Sequence, residues 1–135
     1  MSRLAILCAP EKSALSAWTE KIKAGAGAGG AVADVFDATI DPAVLAGDDA
    51  AAFGFSRGAE KTDFLSLFSR CLPELAGKKT AFFGDFEEAD EFSESLVRVG
   101  KAAKCTMCAT ARTEEDAENL VKSLIHPKES RPDLS

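Results

Sequence analysis

The sequence has one histidine, one tryptophan and no tyrosine, and no apolar run near the roughly 18 residues that a membrane span requires. Each shortage removes a class of function. His126 stands before Pro127 in a polar terminal stretch, so a Ser-His-Asp set has no base and a zinc site no imidazole cluster. Positive charge is also short: 16 Lys and Arg face 22 Asp and Glu, a formal net charge of -6. An acidic surface repels phosphate backbones and anionic lipid. Neither nucleic acid nor a membrane is therefore expected as a partner, and a soluble partner with a basic face is. The first residues carry one Arg, a short apolar stretch and then charge, which does not read as a secretory signal. Without such a signal, four cysteines read as reduced thiols, and a cytoplasmic location is expected.

What the sequence does contain is alternation. Five short apolar runs, 3–9, 31–38, 49–55, 79–85 and 105–111, are separated by amphipathic segments. Runs one, three and four are almost continuously apolar, as strands covered on both faces must be. The second interleaves Asp34 and Asp37 with Val32, Val35 and Phe36, which suits a place nearer a sheet edge. The intervening segments repeat at helical spacing. Ala14, Leu15, Trp18 and Ile22 form a stripe in 11–24, which "GAGAGG" (25–30) is expected to end. Phe64, Leu67, Phe68, Cys71 and Leu72 do the same in 61–77, where Pro73 is expected to end or kink the helix. A third stripe follows in 91–103, with Phe92, Leu96, Val97 and Val99. The last helix opens on a capping box, Thr113 with Asp116. A short helical turn is expected at 41–47, with Asp41 as cap and Pro42 first.

Such alternation makes a parallel sheet with helices on both faces. The expected fold is a three-layer, doubly wound α/β domain over residues 1–126, with a five-stranded parallel sheet in the order 2-1-3-4-5. Residues 127–135, with two prolines and little apolar content, read as a flexible tail. A ligand should lie outside the carboxyl ends of the strands, near strands one and three. Three loops meet there: "APEKSA" (9–14), "FSRGAEKTDF" (55–64) and "GDFEEADEF" (84–92).

At these loops the chain resembles the flavodoxins, short acidic α/β proteins that hold flavin mononucleotide (FMN) and carry electrons. The best local match is "GKKTAFFGDFEEADEF", a lysine-led apolar strand followed by a Gly-Asp turn and an acidic aromatic loop. The resemblance implies FMN binding and electron transfer to a soluble partner, with Lys12, Ser13, Phe55, Ser56, Gly58, Gly84, Asp85 and Phe86 as cofactor-binding residues. It implies no catalytic residue and no metal ligand. Phe55 and Phe86 would be the stacking residues, or else core phenylalanines that anchor their loops. Asp85, Glu87, Glu88, Asp90 and Glu91 would discourage a reduced, anionic flavin, or else favour a helix start. The first loop departs from the family's hydroxyl-rich, glycine-containing phosphate cradle. It has one hydroxyl, Ser13, no glycine, Pro10 without an N–H, and Glu11 where a dianion should sit. Lys12 offsets that charge without restoring a backbone nest. Weakened flavin binding follows.

Two alternatives stay open. One is a cofactor-free interaction module on the same fold. The other is a phosphoryl carrier through Cys8, because "CAPEKSALS" resembles the B components of sugar phosphotransferase systems. Other arrangements fail on residue type. A phosphatase Cys-x5-Arg loop would need Arg where Ala14 stands, and a response regulator needs Asp and Lys near Phe55 and Arg112. "CTMC" (105–108) has redox spacing but lies in a strand-like run, where residues three apart point to opposite faces.

Overall fold

The structure, a computed structural model, describes residues 3–9, 15–37, 40–86, 91–107 and 110–125. Pro10–Ala14, the acidic residues 87–90, Cys108 and the terminal stretch from His126 lie outside the described residues. So do the expectations placed on Glu11, Lys12, Ser13, Glu87, Glu88, Asp90 and the 127–135 tail.

Five strands form one parallel sheet: β1 (Arg3–Ala9), β2 (Val32–Asp37), β3 (Ala50–Phe55), β4 (Lys79–Gly84) and β5 (Thr106–Met107). Their order is β2-β1-β3-β4-β5, as the alternation of the sequence requires. The three continuously apolar runs occupy the centre, and β2, with its interleaved aspartates, lies at one edge and is half-buried. β5 is shorter than the 105–111 run, although pairing is found again at Ala111, which bridges Phe83.

Alternation along β1 sends Leu4, Ile6 and Cys8 to one face and Ala5, Leu7 and Ala9 to the other. The first face is covered by α1 (Ser16–Ala28) and α4 (Glu114–Ile125), through Ile22, Leu120 and Val121. The second is covered by α2 (Lys61–Leu75) and α3 (Glu91–Ala102), where Phe64, Phe68 and Leu96 meet Phe53 and Phe82. Each fully buried phenylalanine removes apolar area worth roughly 1.5–3 kcal/mol, so this second layer is the heavier half of the core.

α1 departs from its sequence reading. It continues through Gly25 and Gly27 to Ala28 instead of stopping at the glycine run. A packing reason is visible: a Cβ at Gly25 would stand 3.2 Å from a methyl of Val121, so the small residue lets α1 lie close on α4. The helix then stops at Gly30, whose φ of +82° allows Ala31 N–H to reach Ala26 O at 2.8 Å and Gly30 N–H to reach Gly27 O at 3.1 Å. α2 likewise runs two residues past Pro73, which sits in its last turn and removes only one backbone donor there. The other caps agree with their residues. Asp41 accepts from Ala43 N–H at 3.0 Å at the start of the 310 turn Pro42–Gly47, and Thr113 Oγ1 accepts from Asp116 N–H at 3.0 Å. Among the described residues no helix is long and apolar enough to cross a membrane.

Candidate functional site at the carboxyl edge of β3 and β4

Phe55 ends β3 and Gly84 ends β4, and the two are register partners. The residues that follow each of them directly are fastened by hydrogen bonds. Ser56 N–H donates to Ala9 O at 3.1 Å, and Ala59 N–H returns to Ser56 O at 2.9 Å, closing a turn over Arg57 and Gly58. From the neighbouring strand, Asp85 N–H donates to Phe55 O at 2.8 Å, while Asp85 Oδ2 accepts from Arg57 N–H at 2.7 Å. Gly84 makes this clip sterically feasible: its φ is +121°, and a Cβ there would collide with the Phe55 carbonyl oxygen. The loop after β3 is thus held to the start of the loop after β4.

The aromatic residues expected to stack on a flavin are placed at this edge but turned toward each other. The Phe55 and Phe86 rings are 5.3 Å apart at an interplanar angle of 33°, and each residue is only 6% exposed. Phe64 and Phe92 close around them, with Phe92 5.4 Å from Phe55 and 6.1 Å from Phe86. A flat ring held between two others needs about 7 Å, two contact distances of ~3.5 Å. Phe55 and Phe86 therefore form one wall of the edge, not two jaws. The single tryptophan is on the opposite face of the sheet, half-buried, with its ring 5.9 Å from Phe83.

Two clefts flank the β3 loop. Toward β1, a cleft of about 330 Å³ is lined by Ala9, Gly58, Glu60, Asp63, Leu67 and Arg70. Toward β5, a cleft of about 340 Å³ is lined by Phe55, Arg57, Lys61, Asp85, Phe86 and Arg112, with Ala59 shared between the two. The structure brings Phe55, Asp85 and Phe86 together in the second cleft and places Gly58 in the first. Ser56 lies at the base of the turn between them, its Oγ accepting from Gly58 N–H at 3.4 Å. Lys12 and Ser13 lie outside the described residues.

Sequence reading missed Arg57, Lys61 and Arg112. Each follows a strand end by a few residues, and that spacing is their only sequence signal. Lys61 Nζ stands 5.6 Å over the Phe92 ring, and Arg112 Nη2 donates to Ser93 Oγ at 3.5 Å, so both cations are held toward the first turn of α3.

Cys8 faces the α1 and α4 layer and is fully buried. Burial pushes its thiol up to about 12, with the Asp37 carboxylate adding to the effect. A thiol in that state offers no accessible thiolate, which a phosphoryl acceptor would need. Cys105 is also buried, and burial raises its thiol too. Among the described residues no group of three or more His, Cys, Asp or Glu gathers as a metal site.

No family model matches the sequence, and no curated protein matches it. Solved structures do. A short-chain flavodoxin associated with a bacterial microcompartment superposes with a TM-score of 0.74 at 12% identity, over 93% of this chain and 98% of that one. The two-electron reduced flavodoxin of Megasphaera elsdenii superposes with a TM-score of 0.72 at 19% identity, over 88% of this chain and 98% of that one. General stress protein 14 of Treponema denticola, solved in complex with FMN, gives 0.57 at 13% identity, over 91% and 95%. Agreement in strand order and in near-complete mutual coverage establishes the architecture: the chain has the flavodoxin-like fold.

Proposed function

We propose that the protein binds FMN at the carboxyl edge of β3 and β4 and passes electrons to a soluble partner with a basic face. The observation that carries this reading is the cleft of about 340 Å³ between two loops fixed by backbone hydrogen bonds, on a fold whose structural neighbours include an FMN complex. Its rim suits a flavin head in part. Asp85 offers a polar group on it, and in the turn that separates it from the neighbouring cleft no atom would meet a Cβ at Gly58, so a ligand can approach the main chain there. Phe86 offers an apolar wall. The sandwich of two aromatics is lacking among the described residues, and that favours weak binding. FMN, when bound, supplies one- and two-electron transfer; the chain's part is to hold it, exclude water from one side and present an acidic surface to the partner.

The mutual packing of Phe55 and Phe86 favours a second reading, an interaction module that keeps the fold without the cofactor. Titration of free FMN with the purified protein separates them. Saturable quenching of flavin fluorescence supports the carrier. Unchanged fluorescence at high protein concentration leaves the module.

A further inference from the structure

The crossovers of the sheet are not alike. α1, α2 and α3, of 12 to 15 residues, stand between β1 and β2, β3 and β4, and β4 and β5. Between β2 and β3 the described residues hold only the 310 turn Pro42–Gly47, which buries one apolar side chain, Leu45. The sheet face that α2 and α3 cover is therefore thinly covered over its edge strand. Alternation along β2 sends Val32, Asp34 and Phe36 to that face. Phe36 and Ile40 are only half-buried there. Val32 is 37% exposed and Val44, on the turn, 46%, two of the three large apolar residues that are exposed among the described residues. Val32 to Phe36 spans about 13 Å, the length of two to three helical turns.

Charge around this strip has one sign. The segment 32–49 carries five aspartates and no basic residue. Arg3, 3.3 Å from Asp34 and 3.6 Å from Asp48, and Lys78, whose Nζ donates to Leu45 O at 2.7 Å, offset two of them. Asp41 and Asp49 are exposed, and their carboxylates accept only from backbone N–H groups, those of Ala43 and Arg3. Even with Asp37 set aside, two negative charges remain without a cation among the described residues.

We propose that this face of β2 is the docking surface for a helix of another protein, apolar along one side and basic at its margin. The apolar side takes the place of the crossover helix that the β2–β3 connection lacks. The side chains project from the sheet face and not along its edge, so a helix laid on the face covers them and an added strand does not. Lys or Arg at the helix margin meets Asp41 and Asp49. A second copy of this chain would set those aspartates against each other, and anionic lipid is repelled in the same way. β1 lies between this face and the cleft at β3 and β4, so the surface does not depend on FMN.

The probe is a peptide of about 18 residues, roughly five helical turns of Leu and Lys with the leucines on one side, titrated into the 15N-labelled protein. It should shift the amides of residues 32–37 and 40–46 saturably, with an affinity that falls as salt is added. The same peptide with Glu for Lys, and a Leu-Lys peptide scrambled to remove the apolar side, should bind far more weakly. Val32→Thr with Val44→Thr keeps the side-chain shape and should weaken the Leu-Lys peptide by about fivefold or more, the scale of two methyl groups no longer buried. Asp41→Asn with Asp49→Asn keeps both acceptors, and should weaken it by about threefold or more and flatten the salt dependence. Glu114→Gln with Glu115→Gln, on the opposite face of the sheet, should change little. Strongest shifts outside 32–46, equal binding of the acidic or scrambled peptide, or equal weakening by the Glu114 and Glu115 variant would overturn the surface. So would concentration-dependent shifts of the same amides in the protein alone, which would give this face to a second copy.

Discussion

Cys8 and Cys71 show how strongly burial sets chemistry at single residues. Burial pushes the first thiol up to about 12 and the second to about 11. Unfolded, both titrate near 8.5, so above that pH the unfolded chain binds fewer protons than the folded one and stability falls. The contribution is complete below about pH 8.5 and is lost progressively as pH rises toward 11–12. Denaturant melts at about pH 7 and about pH 10 should show a loss on the order of 2 kcal/mol per thiol. Cys8→Ala should flatten that slope; an unchanged slope would mean that this thiol does not titrate on unfolding. A second residue with a testable role is Asp85. Removing its carboxylate in Asp85→Ala deprives the Arg57 N–H of its partner, at a cost of about 1–2 kcal/mol. Faster hydrogen exchange at the Arg57 amide, with the core amides unchanged, is the expected signature. Residue types at the edge were legible in the sequence, because the turn residues and the aromatics announce the strand ends. Ring orientation was not. Phe55 and Phe86 turn inward because Phe64 and Phe92 arrive from two helices, and no local pattern encodes that meeting.

Elements were legible wherever their periodicity was unbroken. The apolar runs became β1, β3 and β4 with little adjustment, and the stripes of α2 and α4 face the core as their spacing requires. The exception is instructive. Glycine lowers helix propensity by about 1 kcal/mol per residue, so a run of alternating Gly and Ala reads as an ending. Tertiary packing overrides it in α1, where the small residues let the helix lie against Val121. The junction of β4 with its loop makes the sharpest prediction at this scale. In Gly84→Ala the new methyl would meet the Phe55 carbonyl at a backbone angle that only glycine adopts readily, so the β3–β4 clip must open. Destabilisation of roughly 1–3 kcal/mol is expected from urea melts, together with exchange broadening of the Asp85 and Arg57 amides. A variant as stable as the parent would show that the edge is not clipped in this way.

For the whole molecule, sheet order does what sequence order cannot. Arg57, Lys61 and Arg112 come from the loops after β3 and β5, and become neighbours only because β4 lies between those strands. The count of five strands, the three layers and the parallel order followed from the alternation of apolar runs. The convergence of Arg57, Lys61 and Arg112 on one cleft at the carboxyl edge did not, because they lie on separate stretches of the sequence, Arg57 and Lys61 on one and Arg112 on another. The carrier reading rests on that edge as a whole. Its most direct test is titration of the 15N-labelled protein with FMN, followed through the amides of residues 56–60 and 84–86. Saturable shifts confined to these two loops, with core amides unmoved, are the predicted result. Amides that stay in place as FMN is raised to high excess would contradict it.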